Sequence, residues 1–180
     1  MFQMLKGRKI DMPTSRMKDG GTLASETSVV DLSFQTRMKE DFRKVEWPGA
    51  NLRRSILDGC DFRESILEGA NLTGASLRDA DFMKAALDRA CLRNIDARRA
   101  KFGLANLQGA DVKGADLRGI RGKYAVWRGV NWWEARLSDS LHKSLKKRWP
   151  RDEAEAWRLK HLNVDEVLTD VESDSDDSEE

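Results

Sequence analysis

Large apolar residues recur at every fifth position between Phe42 and Leu137, and this spacing strongly limits what the chain can fold into. Eighteen of the twenty positions in this series are large and apolar, and the exceptions are Ala97 and Gly122. A second series, two residues before the first, consists mostly of alanine. An α-helix would scatter the large residues around its axis, and a strand would alternate them between two faces. The spacing therefore predicts a chain that turns a corner every five residues and stacks its coils over one core.

The five-residue units also share a sequence. Ala70–Gly74 reads Ala-Asn-Leu-Thr-Gly, Ala80–Lys84 reads Ala-Asp-Phe-Met-Lys, and Ala115–Gly119 reads Ala-Asp-Leu-Arg-Gly. These runs resemble the pentapeptide-repeat family, whose consensus is Ala-(Asp/Asn)-Leu-x-x. The resemblance implies an all-β solenoid, a right-handed four-sided β-helix with four pentapeptides in each coil. It implies little about activity, because one fold can host many functions.

A coil of twenty residues would place residues that are twenty apart directly above one another. The phenylalanines of the central series have this spacing, at Phe42, Phe62, Phe82 and Phe102. We therefore expect their rings to stack on one side of the core. Residues 40–139 would form about five coils, and a separation of about 4.8 Å between coils gives a height of about 24 Å.

The segments outside the repeat differ from it in composition. Residues 1–39 show no sustained period and are predicted to form an N-terminal arm or irregular cap. In residues 140–164, Leu141 and Leu145 recur at helical spacing, which predicts short helices that cap the last coil or dock a partner. Residues 165–180 contain nine acidic residues and no basic ones, so we expect an acidic, disordered tail.

Composition argues against several classes of protein. The chain has 32 Lys and Arg against 31 Asp and Glu, a net charge of +1, which disfavours non-specific nucleic-acid binding by the whole chain. It has no apolar run of 18 residues and no recognisable secretory leader, so we expect no membrane and a location in the cytoplasm or in a phage particle. His142 and His161 lack partners at metal-ligand spacing, and Cys60 and Cys91 make no disulfide framework. We expect no cofactor, no metal and no enzyme active site.

Basic side chains line two predicted walls of the coil, and tryptophans cluster near its C-terminal end. The candidates for partner binding are Arg78, Arg98, Arg99 and Arg118 on the first wall, Arg53, Arg93 and Lys113 on the second, and Trp133, Trp149 and Trp157. The first wall also carries Asp58, Asp79, Asp96 and Asp116, which favours a surface ladder of ion pairs. The functional alternative is a basic face that docks an acidic protein surface or phosphates. A third wall would expose an apolar column of Ile66, Ala86 and Val126.

The leading prediction for function is a structural or protein–protein interaction scaffold, for example a component of a phage particle. It would bind one or more protein partners, and the C-terminal helices could join two copies. The family resemblance supplies the alternative, a DNA mimic that inhibits or protects DNA gyrase or topoisomerase IV. Mimicry requires a strongly negative rod, and residues 41–140 carry 18 basic and 14 acidic side chains.

Overall fold

The computed structural model describes residues 29–162. Most of the predicted N-terminal arm and the whole acidic tail lie outside this range. Within it, residues twenty apart pair in parallel, from Asp31 with Asn51 to Asp116 with Arg136. The pairs are isolated bridges rather than continuous strands, because the chain turns after each one. This register confirms the predicted coil of twenty residues.

Each coil bonds to the coil before it and the coil after it. The Asn71 N–H donates to the Ala50 carbonyl at 2.8 Å, and the Leu72 N–H donates to the Cys91 carbonyl at 2.8 Å. A turn follows each bridge; in one, the Ala75 N–H donates to the Leu72 carbonyl at 2.9 Å, with Gly74 at a φ of 69°. A positive φ at the third residue is typical of a type II turn. Every fifth residue from Phe34 to Gly129 adopts it, although twelve of these twenty residues are not glycine.

Apolar side chains fill the interior of the coils. The rings of Phe42, Phe62, Phe82 and Phe102 stack with successive centroid separations of 5.0, 4.9 and 5.2 Å. All four are buried, which confirms the predicted stack. Buried hydroxyls of the small series are satisfied locally, since Ser55 and Ser65 each donate to a backbone carbonyl three residues earlier at 2.7 Å.

The two exceptions in the large series are compensated within their own repeats. Ile95 stands two residues before Ala97 and is buried, so the larger side chain occupies the position that is usually small. Ile120 stands two residues before Gly122, packs against the core, and would lie 3.9 Å from a Cβ added at the glycine. The volume within each repeat is therefore conserved although its distribution is reversed.

The repeat begins earlier than the predicted boundary at residue 40. Asp31 and Thr36 already form bridges to the next coil, so residues 31–39 belong to the repeat and not to an irregular cap. The apolar series is interrupted at Arg37, which is half-buried where an apolar residue would continue the pattern. The first coil is therefore less apolar than those that follow, and its sequence signal is weaker.

The last coil ends in a 3-10 helix, Trp132–Glu134, and two α-helices follow: α1, Asp139–Arg148, and α2, Arg151–His161. Pro150 ends α1, because proline disfavours a helical residue before it. It also provides the carbonyl that accepts from the Ala154 N–H at 3.0 Å as α2 begins. Both α-helices match the prediction for this segment. Neither is long and apolar enough to cross a membrane, nor is any other helix of residues 29–162.

Candidate partner-binding surfaces

The predicted basic wall is a ladder of ion pairs. The Arg78 guanidinium donates two hydrogen bonds to Asp58, at 2.9 and 2.7 Å. Arg98 and Arg118 likewise bind the carboxylates two residues before them, and Arg99 binds the one twenty residues before it. The shortest nitrogen–oxygen separations in these three pairs are Arg98–Asp96 2.7 Å, Arg118–Asp116 2.6 Å and Arg99–Asp79 2.6 Å. The four cations that we selected on this wall therefore have carboxylate partners within the chain.

These pairs change the titration of the carboxylates. Hydrogen bonds from Arg98 and Arg118 hold the pKa of Asp96 and of Asp116 below the usual value, against the effect of partial burial. At Asp58 burial acts most strongly and in the opposite direction, yet hydrogen bonds from Ser76 and Arg78 together lower its pKa. The carboxylates therefore stay ionised and matched to the arginines at neutral pH.

The second wall is less uniform than the sequence predicted. Arg93 forms an ion pair with Asp111, whose other oxygen accepts from the Asn131 side-chain amide at 2.8 Å. Asn131 also accepts from the Val112 N–H at 2.8 Å, a bond that connects the last coil to the one below it. Among the residues that the structure describes, Arg53 has no ion pair. Arg93 and Lys113 both make contacts within the chain.

The three candidate tryptophans hold the C-terminal helices in place. Trp133 is half-buried, and the Arg151 guanidinium lies 5.2 Å from the centre of its ring. The backbone carbonyl of Trp149 accepts a hydrogen bond from the buried Trp132 indole at 2.9 Å. Sequence reasoning placed these side chains near the end of the coil but did not distinguish internal packing from partner contact.

Trp157 attaches α2 to the side of the coil. A Cβ added at Gly129 would lie 2.0 Å from its ring, and one at Gly109 would lie 2.9 Å from it. The next residue, Arg158, donates to the carbonyl of Gly129 at 3.1 Å and, more weakly, to that of Ala110 at 3.4 Å. Because only glycine leaves room for the indole, α2 lies along a corner of the coil.

Eight cations beyond residue 120 form a surface that sequence reasoning missed. They are all exposed, and we call them the basic end: Arg121, Lys123, Arg128 and Arg136 of the last coil, and Lys143, Lys146, Lys147 and Arg148 of α1. None forms an ion pair with another residue of the described range 29–162. Residues 121–148 contain only two acidic side chains, Glu134 and Asp139. Within residues 29–162, six of the eight net positive charges therefore lie in residues 121–148.

The packing of α1 directs its lysines away from the coil. Leu145 is buried in the core cluster and Leu141 packs against it, so this side of α1 faces the last coil. Lys146 and Lys147 follow Lys143 by three and four residues, and all three lie on the opposite side of the helix. Lys146 and Lys147 also stand in the last turn, where positive charge favours the helix dipole.

The predicted apolar column is broken. Ile66 and Ala86 are bridge partners, but Asn106 stands between Ala86 and Val126 in the same column. Ile66 and Val126 are 41% and 37% exposed, so they form two isolated apolar positions. The column therefore gives no continuous contact stripe.

The cysteines and histidines make contacts with other residues of the chain. Cys60 is buried, and burial raises the pKa of its thiol to about 11, so it is a poor nucleophile. Cys91 is half-buried, with its sulfur 3.1 Å from the Thr73 hydroxyl. His142 packs edge-on against the Trp132 ring, and His161 stacks on the Trp157 ring. Within residues 29–162 no group of three or more His, Cys, Asp or Glu side chains could hold a metal.

Comparison with known families matches the repeat itself. A family model described as pentapeptide repeats (eight copies) matches residues 48–82 and 80–119. These residues lie within the segment that pairs at a spacing of twenty. Residues 48–119 of this chain are therefore pentapeptide repeats. No curated protein gives a significant match to it.

Solved structures of other pentapeptide-repeat proteins resemble this one. A protein of the Arabidopsis thaliana thylakoid lumen is 26% identical over 66% of this chain and 89% of its own, with a TM-score of 0.59. HetL, involved in heterocyst differentiation regulation in Nostoc sp. strain PCC 7120, is 22% identical over 57% of this chain and 58% of its own, with a TM-score of 0.37. QnrB1, a plasmid-mediated fluoroquinolone resistance protein, is 14% identical over 68% of this chain and 84% of its own, with a TM-score of 0.32. The first comparison supports a right-handed β-helix, and the other two are too distant to support an inference about function.

Proposed function

We propose that this pentapeptide-repeat protein is a non-catalytic interaction scaffold whose basic end binds an acidic surface of a protein partner in a larger assembly. The observation that carries the proposal is the set of eight exposed cations without ion pairs, beside a repeat whose arginine ladder is internally neutralised. A surface of one sign attracts and orients a partner of the opposite sign.

The fold suits this role because the site is built on a rigid support. Backbone hydrogen bonds between coils and the buried aromatic stack fix the last coil, and Leu145 fixes α1 on top of it. The lysines of α1 are thus presented in a constant arrangement, which reduces the entropy lost on binding.

Gyrase binding by DNA mimicry fits this molecule less well. The described residues 29–162 hold 27 basic and 19 acidic side chains, a net charge of +8, whereas a mimic of DNA must be negative. Inhibition of gyrase supercoiling by micromolar protein would contradict this assignment.

The test is affinity capture from an extract of the source organism with the full chain and two matched variants. One variant neutralises α1 by Lys143→Gln, Lys146→Gln and Lys147→Gln, and the control neutralises the coil by Lys39→Gln, Lys44→Gln and Lys84→Gln. We expect a stoichiometric protein partner with the native chain and the control, and much less with the α1 variant. Equal capture by both variants would contradict the assignment of the site, and capture abolished by nuclease would indicate nucleic acid as the ligand.

A further inference from the structure

We propose that the acidic C-terminal tail, residues 165–180, binds the basic end of the same chain and competes there with the acidic partner. This inference rests on the proposed function, since it names what occupies that surface when the partner is absent. It is carried by charge complementarity and by the place where the described chain ends.

The charges of the two segments are matched. The tail carries nine negative charges, and the described residues 29–162 carry a net +8. Most of this excess lies in residues 121–148, which hold eight cations and two anions. The ladder on the coil attracts the tail less strongly than the basic end does, because each arginine of the ladder already has a carboxylate at hydrogen-bond distance.

The tail is attached where it can reach this surface. The segment begins three residues after Leu162, and α2 ends at His161 beside the upper coils, where Trp157 contacts Gly109 and Gly129. Eighteen residues span at most about 60 Å when fully extended. This reach exceeds the height of five coils, about 24 Å. The basic end is therefore within reach of the tail.

Attachment also makes a weak interaction effective. A single exposed ion pair contributes little to binding. A tethered segment of this length has an effective concentration in the millimolar range, so several weak pairs can keep the surface occupied. An acidic partner must then displace the tail. The apparent affinity of the partner is therefore reduced in proportion to the fraction of basic ends that the tail leaves free.

The test compares the native full chain with a full-length variant in which the tail is neutral. The variant replaces every tail carboxylate by its amide, at Asp165, Glu166, Asp170, Glu172, Asp174, Asp176, Asp177, Glu179 and Glu180. The readout is the acetylation rate of individual lysines with an N-hydroxysuccinimide acetate reagent, followed by mass spectrometry. At low salt we expect Lys143, Lys146 and Lys147 to react at least about two-fold more slowly in the native chain, because an ion pair with a tail carboxylate shields the amine from the reagent. Lys39, in the first coil, should react at the same rate in both.

Salt and dilution separate the alternatives. The difference should vanish near 1 M salt, where the Debye length is about 3 Å. Equal rates in the two proteins at low salt would overturn the proposal. A difference that disappears on tenfold dilution of the protein would also overturn it, because the tail would then bind a second copy. Capture of the partner by the tail-neutral chain is measured in parallel, so failure of this inference is distinguishable from failure of the proposed function.

Discussion

Residues 41–120 and residues 121–148 use their cations in different ways. In the first segment a basic side chain commonly finds a carboxylate two residues earlier, as Arg118 finds Asp116, or twenty residues earlier, as Arg99 finds Asp79. In the second segment Arg121, Lys123 and Arg128 have no acidic residue at either position. The repeat thus neutralises much of the charge on its own walls and leaves the C-terminal end positive.

The largest expected effect is on the coil itself. Leu72→Lys places an unpaired ammonium in a fully buried position, which costs several kcal/mol or forces the stack apart. We expect the cooperative thermal transition, followed by circular dichroism, to be lost. Lys84→Leu, at an exposed position, is the control and should leave the transition nearly unchanged. A cooperative transition in the Leu72→Lys variant would contradict the inward register.

Alanine substitutions at two glycines in the same column of the coil, Gly129 and Gly49, test the attachment of α2. Gly129→Ala and Gly49→Ala face the same strain of a positive φ, 69° and 68°. Only the first introduces a methyl group that collides with Trp157, since nothing lies within 4 Å of the second. We expect the alanine at 129 to destabilise the protein by about 2 kcal/mol more, in the range of other overpacked sites, and to change the near-ultraviolet circular dichroism of tryptophan. Equal effects of the two substitutions would show that α2 does not pack on this corner.

The ion pairs of the ladder should differ in strength with their burial. The Asp58 side chain is 11% exposed and accepts from the Ser76 hydroxyl at 2.6 Å as well as from Arg78, whereas the Asp79 side chain is 53% exposed and binds Arg99 alone. We expect Asp58→Ala to cost about 1–3 kcal/mol, because it leaves the half-buried Ser76 hydroxyl without its acceptor. Asp79→Ala should cost less, because solvent screens this exposed ion pair. Denaturant unfolding of both variants gives the comparison, and a reversed order would contradict the assigned geometry.

The smallest effect concerns pH. Hydrogen bonds from Arg98 and Arg118 lower the pKa of Asp96 and of Asp116 in the folded protein, and hydrogen bonds from Ser76 and Arg78 lower that of Asp58 against the effect of its burial. The contribution of these carboxylates to stability is therefore full above the usual carboxyl pKa near 3.8. It declines as the pH falls below that value toward the lowered pKa of the folded state. We expect denaturant midpoints to decrease below about pH 4 in the native chain. A variant with Asp96→Asn and Asp116→Asn should show a weaker decrease, and an equal slope would exclude these carboxylates as its source.

Much of the coil could be predicted from sequence because its pattern is local and repeated. The family resemblance implied the coil of twenty residues, and the phenylalanines at that spacing predicted the aromatic stack. The position of the first coil was missed because Arg37 interrupts the apolar series. The compensation of Ala97 by Ile95 was missed because each series was considered separately, although volume is conserved over the pair.

The candidate surface was predicted in part. Sequence reasoning aligned Arg78, Arg98 and Arg118 at a spacing of twenty and proposed an ion-pair ladder, and each arginine does bind a carboxylate two or twenty residues earlier. A search for cations without an acid at those two positions would have found Arg121, Lys123 and Arg128. No sequence rule would have placed Trp157 on Gly109 and Gly129, since that contact depends on how α2 folds back along the coil.

The central claim, that the basic end binds acidic ligands while the ladder does not, has a direct test. The tail-neutral full chain would be titrated with a polyglutamate peptide at low salt, and backbone amide shifts would be followed by nuclear magnetic resonance. The account predicts that the largest shifts lie in residues 121–148. Shifts concentrated around Arg78, Arg98 and Arg118 would contradict it, because they would show that the ladder exchanges its carboxylates for an outside ligand.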